Sequence, residues 1–175
     1  MRAPELSIVV PVFNERANIV PLVGLVADAL RDVAWELIFV DDNSPDGSSD
    51  EIKNLAAKDP RVRGIRRVGR RGLSGASIEG MLSSSAPFVA VMDGDLQHDE
   101  RVLVKMLALI RSPGVDLVIA TRERKGGAIE GLSDKRSFVS DFGRFLSRLV
   151  IKNDVKDPMS GFFMIRRELV EQAAP

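Results

Sequence analysis

Short apolar segments alternate along the chain with stretches of helical periodicity. Continuous runs of β-branched and aliphatic residues predict buried strands, whereas apolar residues three or four positions apart predict helices that pack on a sheet. We predict strands at 6–12, 35–40, 62–68, 88–92, 116–120 and 162–165. We predict helices at 14–32, 48–58, 74–85, 99–110 and 135–150. This alternation indicates an α/β domain with a mostly parallel central sheet and helices on both faces.

Polar residues mark the starts of three of the predicted helices. Asn14 and Asp99 each precede an apolar periodic segment and are typical N-cap residues. Ser48, with Glu51 three positions later, matches the capping box. We therefore expect these side chains to cap the first, second and fourth helices.

The composition is that of one globular domain. Of the 175 residues, 45% are apolar and 29% are charged, which argues against disorder and against a fibrous repeat. The 25 Lys and Arg residues balance the 25 Asp and Glu residues, so the net charge does not favour nucleic acid as a partner, and any anion site must be local. The absence of Cys excludes disulfide scaffolds, thiol catalysis and Cys-ligated zinc. No secretory leader or membrane-spanning apolar stretch is apparent, so we expect a soluble domain.

Acidic residues collect where predicted strands end. Glu15 follows the first strand, Asp41 and Asp42 follow the second, and Asp93 and Asp95 follow the fourth. Ligands of open α/β sheets bind beyond the carboxyl ends of the strands. Turn preference explains any one of these residues equally well, but three clusters at successive strand ends favour a shared ligand.

The segment Asp93-Gly94-Asp95 with Gln97 carries the sharpest signal. Residues two apart on an extended chain project to the same side, so three side-chain oxygens could meet at one point. Ligation by oxygen alone suits Mg²⁺ or Mn²⁺, and such ions keep open positions for phosphates. This pattern therefore predicts a divalent cation bound to a nucleotide diphosphate. The adjacent His98 is the only His, and a hydrogen-bonded or solvated loop imidazole is favoured over a metal ligand or an acid/base group.

Basic residues and glycines form two further groups. The spacing Gly69-x-x-Gly72-x-x-Gly75 matches neither the dinucleotide fingerprint nor a P-loop, which disfavours an NAD-dependent dehydrogenase and a P-loop kinase. Arginines between 61 and 71 indicate mainly a solvated face, except for Arg70 and Arg71, which lead into a glycine-rich helix start where an anion could sit. Arg122 directly follows the fifth strand and is a candidate phosphate ligand, together with its basic neighbours Arg124, Lys125 and Arg136.

Taken in order, these motifs resemble the family 2 glycosyltransferases of the GT-A fold, most closely the dolichol-phosphate mannose synthase group. The resemblance spans about residues 6–166. It rests on VPVFNERANI at 10–19, VDDNSPDG at 40–47, MDGDLQH at 92–98 and DPMSGFF at 157–163, with Thr121-Arg122, Arg136 and Ser140. The chain departs from the group at Phe13, where Tyr is usual, at Gly94, where Ala is common, and at 72–75, where GLSG replaces GLGT.

The resemblance implies a role for each matching position. The base and ribose pocket would be lined by Pro11, Phe13, Glu15, Asp41 and Asp42. The cation and the donor diphosphate would be held by Asp93, Asp95 and Gln97. The catalytic group would comprise Asp95 with the residues that receive the acceptor phosphate, Arg122, Arg136 and Ser140.

The resemblance also implies the reaction. We expect an inverting transfer of a hexose from GDP-mannose or UDP-glucose to a polyprenyl phosphate, with mannose as the favoured sugar. The protein is expected to be peripheral at the cytoplasmic face of a membrane. The acceptor phosphate is already an anion at neutral pH and needs no general base. A hydroxyl acceptor would need one, for which Asp157 is the candidate. A nucleotidyltransferase and a nucleotide-sugar-binding module without turnover are further alternatives. We expect one catalytic domain over 1–175 that lacks the C-terminal part of the family's domain.

Overall fold

The computed structural model describes residues 2–120 and 161–173. Within these residues the strands are β1 (Leu6–Val12), β2 (Trp35–Asp41), β3 (Val62–Arg66), β4 (Phe88–Val91), β5 (Leu117–Ile119) and β6 (Phe163–Arg166). The helices are α1 (Arg16–Ala29), α2 (Ser48–Ala56), α3 (Leu73–Leu82), α4 (Val102–Ile110) and α5 (Arg167–Ala173). The helix predicted at 135–150 lies outside the described residues.

The strands form one sheet in the order β3-β2-β1-β4-β6-β5. β1 pairs in parallel with β2 and with β4, and β2 pairs in parallel with β3. β6 runs antiparallel to both of its neighbours, β4 and β5. The mostly parallel sheet is thus confirmed, and the reversed β6 is a feature that the apolar pattern could not distinguish.

Helices cover both faces of the sheet. On one face, α1, α2 and α4 pack their apolar residues against alternate residues of the strands, and on the other face α3 and α5 do the same. Every residue of β1 and β2 is buried, which is why these strands appear in the sequence as continuous apolar runs. Within residues 2–120 and 161–173, no helix has the length and apolarity that crossing a bilayer requires.

The predicted cap of α1 is wrong. Asn14 has a left-handed backbone with φ 60°, and its N–H donates to Ser44 Oγ over 2.9 Å. The helix begins at Arg16, and Glu15 precedes it without a side-chain cap bond. A contact with a distant loop therefore fixes this helix start, and local capping chemistry does not.

The caps predicted for α2 and α4 are also wrong. Ser48 is the first residue of α2 itself, and the Asp46 carboxylate accepts its N–H at 2.9 Å and its hydroxyl at 2.6 Å. Asp99 lies three residues before α4, where it accepts the N–H and the guanidinium of Arg101. In each case an Asp carboxylate accepts the N–H of the residue two positions later, and the helix has no side-chain cap bond.

Candidate functional site

The carboxyl ends of β1, β2 and β4 lie side by side because these strands are neighbours in the sheet. In the register, Val12 at the end of β1 is opposite Asp41 at the end of β2. The Met92 N–H that follows β4 donates to Val9 of β1 over 3.1 Å. The three acidic clusters predicted at strand ends therefore lie along one edge of the sheet.

Asp41 is committed to the turn that follows β2. Only 1% of the residue is exposed, and its carboxylate accepts the N–H of Ser44 at 3.2 Å to each oxygen. The hydroxyls of Ser44 and Ser49 also donate to it. These contacts hold the turn from 42 to 49 in one conformation.

That turn is joined to the loop that enters α1. Backbone N–H groups of this loop donate across to the turn, from Glu15 to Ser48 Oγ at 3.2 Å and from Arg16 to Asp46 Oδ2 at 3.0 Å. Desolvation raises the pKa of Asp46, but hydrogen bonds from Ser48 and Arg16 outweigh it and hold that pKa below its ordinary value. An ionised Asp46 therefore fixes the position of Glu15.

Two residues of this loop face solvent at the edge of the sheet. Phe13 follows β1 and is 42% exposed, with the Arg71 guanidinium 4.7 Å from its ring centre. Glu15 accepts a hydrogen bond from Asn18 Nδ2 over 2.5 Å and lines an open pocket with Val20. Phe13 and Glu15 are thus accessible to a ligand, whereas Pro11 is buried within β1.

Asp42 is held by two partners from a different part of the chain. Arg67 Nη1 donates to its Oδ1 at 2.6 Å, and the Gly72 N–H donates to its Oδ2 at 2.7 Å. The sequence indicated a solvated face for Arg67, and this is wrong, because only 6% of its side chain is exposed. Two features could have indicated that Arg67 is buried. Arg67 directly follows β3, beside the end of β2, and α3 carries Gly75 and Glu79 one helical turn apart.

The two arginines singled out beside the glycines behave differently. Arg70 pairs with Glu79 at 3.1 Å and lies along α3. Arg71 stacks on Phe13 and therefore lies at the rim of the edge that carries the acidic clusters. Guanidinium–aromatic stacking of this kind presents a flat cationic surface to a ligand.

The Asp93–Gln97 segment is not extended, contrary to the geometric premise made from the sequence. Leu96 adopts φ 60°, and the Gln97 N–H turns back to Asp95 Oδ1 at 3.1 Å. Gln97 is exposed, while Asp93 and Asp95 are partly buried. The ten residues between β4 and α4 therefore include a turn at Leu96.

His98 and Gly161 surround the Asp93 carboxylate. The His98 side chain is 6% exposed, its Nε2 lies 3.3 Å from Asp93 Oδ2, and its ring packs 4.9 Å from the ring of Phe162. A Cβ on Gly161 would lie 2.8 Å from Asp93 Oδ2 and 3.1 Å from Oδ1. The start of β6 therefore approaches Asp93 so closely that a side chain at 161 would displace the carboxylate.

A divalent cation fits the donor chemistry of this segment. Asp93 and Asp95 supply carboxylate oxygens and Gln97 an amide oxygen, the ligand types preferred by Mg²⁺ and Mn²⁺. Within the part of the chain that the structure describes, no group of three or more His, Cys, Asp or Glu residues is arranged to hold a metal ion by itself. The candidate acceptor residues Arg122, Arg136 and Ser140, and the alternative base Asp157, lie outside the described residues.

Comparison with protein families gives a match to the model described as glycosyl transferase family 2 over residues 7–173. The chain belongs to this family. The similarity that the sequence motifs indicated is therefore confirmed over nearly the whole chain.

Three curated relatives share the name dolichol-phosphate mannosyltransferase. The dolichol-phosphate mannosyltransferase of Pyrococcus furiosus is 37% identical over 95% of this chain and 47% of its own length. That of Saccharomyces cerevisiae is 36% identical over 98% of this chain and 64% of its own length. The chain thus spans about half to two thirds of the length of the curated relatives it matches.

Solved structures share the fold. A mannosyltransferase from Pyrobaculum calidifontis, solved with GDP-Man and Mn²⁺, is 19% identical with a TM-score of 0.65, over 98% of this chain and 47% of its own. A glucosyl-3-phosphoglycerate synthase from Mycobacterium tuberculosis, solved with Mn²⁺, UDP and glucosyl-3-phosphoglycerate, is 23% identical with a TM-score of 0.63, over 94% of this chain and 57% of its own. These matches confirm the predicted GT-A fold.

Proposed function

We propose that this chain forms the donor-binding part of an inverting glycosyltransferase that moves mannose from GDP-mannose to a polyprenyl phosphate. The observation that carries the proposal is the convergence of Phe13, Asp42 and the Asp93/Asp95 pair at one edge of the sheet. The name shared by the curated relatives supports the mannosyl donor and the lipid-phosphate acceptor. Through that acceptor, the protein would work peripherally at the cytoplasmic face of a membrane.

Two groups of residues would contact different parts of the donor nucleotide. Phe13, with Arg71 stacked on it, offers a flat surface to the base, while the buried carboxylate of Asp42 accepts hydrogen bonds from the base or ribose. Asp93, Asp95 and Gln97 would hold Mg²⁺ or Mn²⁺ against the diphosphate. When bound, the cation supplies Lewis-acid stabilisation of the charge on the departing diphosphate.

The acceptor phosphate acts as the nucleophile. Its oxygen is ionised at neutral pH, so it can attack the anomeric carbon without losing a proton. One carbon–oxygen bond forms to the acceptor phosphate as the bond to the donor diphosphate breaks, which inverts the anomeric centre and releases GDP. Arg122, Arg136 and Ser140 are assigned to align the two anions, a role that fits guanidinium chemistry.

The test is a transfer assay on the whole chain with polyprenyl phosphate and a panel of GDP-mannose, UDP-glucose and UDP-GlcNAc, with Mn²⁺, with Mg²⁺ or with EDTA. We expect labelled mannosyl lipid from GDP-mannose only, and no product in EDTA. Arg122→Ala should raise the acceptor KM and lower turnover while leaving GDP affinity unchanged. Release of pyrophosphate, or transfer to a sugar hydroxyl in place of the lipid phosphate, would overturn the proposal.

A further inference from the structure

Arg67 is set apart from the other arginines of the 61–71 segment by its burial. Its neighbours in sequence are exposed, and one of them, Arg66, reaches outward to Asn43 Oδ1 at 2.8 Å. The Arg67 backbone N–H continues the sheet by donating to Asp41 O at 2.8 Å. Its guanidinium then turns inward beneath the edge that carries Asp42. A charge is seldom buried in this way unless its partners are fixed.

Three hydrogen bonds form a ring that joins this guanidinium, Asp42 and Gly72. Arg67 Nη1 donates to Asp42 Oδ1 at 2.6 Å and to Gly72 O at 3.1 Å. The Gly72 N–H donates to Asp42 Oδ2 at 2.7 Å. Gly72 adopts φ 127°, which a residue with a side chain rarely adopts, so its backbone can present both its N–H and its C=O to the ring. Both oxygens of Asp42 are thereby oriented from one side.

Helix α3 leaves space for the Arg67 side chain and provides a charged partner for it. A Cβ on Gly75 would lie 2.7 Å from Arg67 Nη2, so the guanidinium occupies the space that this glycine leaves. One turn further along, Glu79 Oε2 lies 3.2 Å from Arg67 Nε, an ion-pair distance. Among the described residues, Nε has no hydrogen-bond partner, which means that Glu79 acts on Arg67 mainly through its charge.

We propose that Arg67 is a positioning residue for the donor nucleotide, because it orients the Asp42 carboxylate and fixes the Gly72 loop that leads Arg71 to Phe13. The inference rests on the proposed function for the identity of the ligand, a guanine nucleotide. Arg67 itself, buried behind Asp42, touches no substrate. A substitution at Arg67 should therefore weaken the binding of the donor and leave the rate of the chemical step unchanged.

The planar guanidinium matters as much as its charge. Lys at 67 would keep the charge, but an ammonium group cannot span Asp42 and Gly72 while also facing Glu79. Arg67→Lys should therefore release the Asp42 carboxylate and the Gly72 backbone together. We expect the Kd for GDP in the presence of Mn²⁺ to rise by about tenfold, the loss of one charged hydrogen bond. Turnover at saturating donor and the acceptor KM should stay within about twofold.

The matched control is Arg63→Lys. Arg63 lies on β3, the strand that Arg67 directly follows, and pairs with a buried carboxylate, Glu36, near the amino end of β2, with Nε and Oε2 3.0 Å apart. Isothermal titration of GDP with Mn²⁺ into wild type and each variant, alongside thermal melts, compares the two sites. Only the variant at 67 should lose nucleotide affinity. Asp42→Asn combined with Arg67→Lys should bind no more weakly than the weaker single variant, because both changes disrupt one ring.

Glu79→Gln provides a second variant in case Arg67→Lys does not fold. It removes the charge that faces Nε and leaves the ring atoms in place, so a smaller rise in Kd, about threefold, is expected. Unchanged affinity in Glu79→Gln or in Arg67→Lys would overturn the inference, as would equal losses in the variants at 63 and 67. If wild type binds no guanine nucleotide, the proposed function fails and this inference with it. If wild type binds and the variants at 67 and 79 match it, only the inference fails.

Discussion

The carboxylate of Asp93 lies in a space that glycine at position 161 leaves open. Its Oδ2 would be 2.8 Å from an added Cβ, and the same oxygen lies 3.3 Å from His98 Nε2. Because a carboxylate is the end of a rotatable side chain, it can swing away from an added methyl group with little cost to the fold. The displaced carboxylate would instead lower the affinity for any cation that Asp93 helps to hold, because the orientation of a ligand governs metal affinity.

Gly161→Ala should therefore weaken Mn²⁺ binding by about tenfold, measured by titration in the presence of GDP, with little change in melting temperature. The matched control is Gly94→Ala, whose Cβ would meet Val12 Cγ1 at 3.1 Å and Val10 Cγ1 at 3.2 Å rather than a carboxylate. That variant should lose some stability and keep its Mn²⁺ affinity. Equal Mn²⁺ affinities in the two variants would show that the approach of β6 does not shape the site.

At the scale of elements, one buried carboxylate joins the amino ends of several strands. Glu36 on β2 accepts the hydroxyl of Ser7 on β1 at 2.6 Å and both the N–H and the hydroxyl of Ser85, before β4, at 2.8 Å. Arg63 on β3 lies 3.0 Å from its second oxygen. Desolvation raises the pKa of Glu36, but the hydrogen bonds from Ser7 and Ser85 and the charge of Arg63 outweigh it and hold that pKa below its ordinary value of 4.5.

The sign of the pH effect follows from this lowered pKa. The unfolded chain binds a proton at Glu36 more readily than the folded chain, so the carboxylate stabilises the fold above the ordinary pKa. That stabilisation is lost as the pH falls below about 4.5 and through the lower folded value. Glu36→Gln should reduce the free energy of unfolding at pH 7 by about 1–3 kcal/mol, and the gap from wild type should narrow below pH 4.5.

Chemical denaturation between pH 3 and pH 7 measures this gap. Glu168→Gln, at an exposed position on α5, is the control and should follow wild type throughout. A gap between Glu36→Gln and wild type that stays constant across this range would mean that the charge of Glu36 does not contribute to stability.

At the scale of the whole molecule, a structural feature could be predicted from the sequence when neighbouring residues determine it, and could not when distant residues do. β1 and β2 were predictable because burial on both faces leaves continuous apolar runs, and the acidic strand ends were predictable because parallel strands share one edge. The start of α1 and the burial of Arg67 depend on partners 30 and 25 residues away, Ser44 for Asn14 and Asp42 for Arg67. Leu96 has a left-handed backbone that turns the chain after Asp95. Because leucine seldom adopts this conformation, the residue type did not predict the turn.

The same sheet separates the candidate site into two halves, and this separation has a thermodynamic consequence. Phe13 and Asp42 lie on the side of β1, β2 and β3, whereas Asp93 and Asp95 lie after β4, next to β6. Under the proposed function, a guanine nucleoside would contact only the first half, whereas GDP with Mn²⁺ would contact both halves. Mn²⁺ should thus increase the stabilisation given by GDP and leave that given by guanosine unchanged. At a ligand concentration 100 times Kd, the stabilisation is about 2.7 kcal/mol.

Asp95→Asn tests this division in thermal melts with guanosine, GDP and GDP plus Mn²⁺. The variant should respond to GDP alone as wild type does, because the base and ribose contacts remain, and it should lose the increment that Mn²⁺ adds. Asp42→Asn should reduce the response to all three ligands, since the nucleoside half is common to them. If Asp95→Asn kept the full Mn²⁺ increment, the cation would have to be held elsewhere on the chain, and the two halves would not meet at this edge of the sheet.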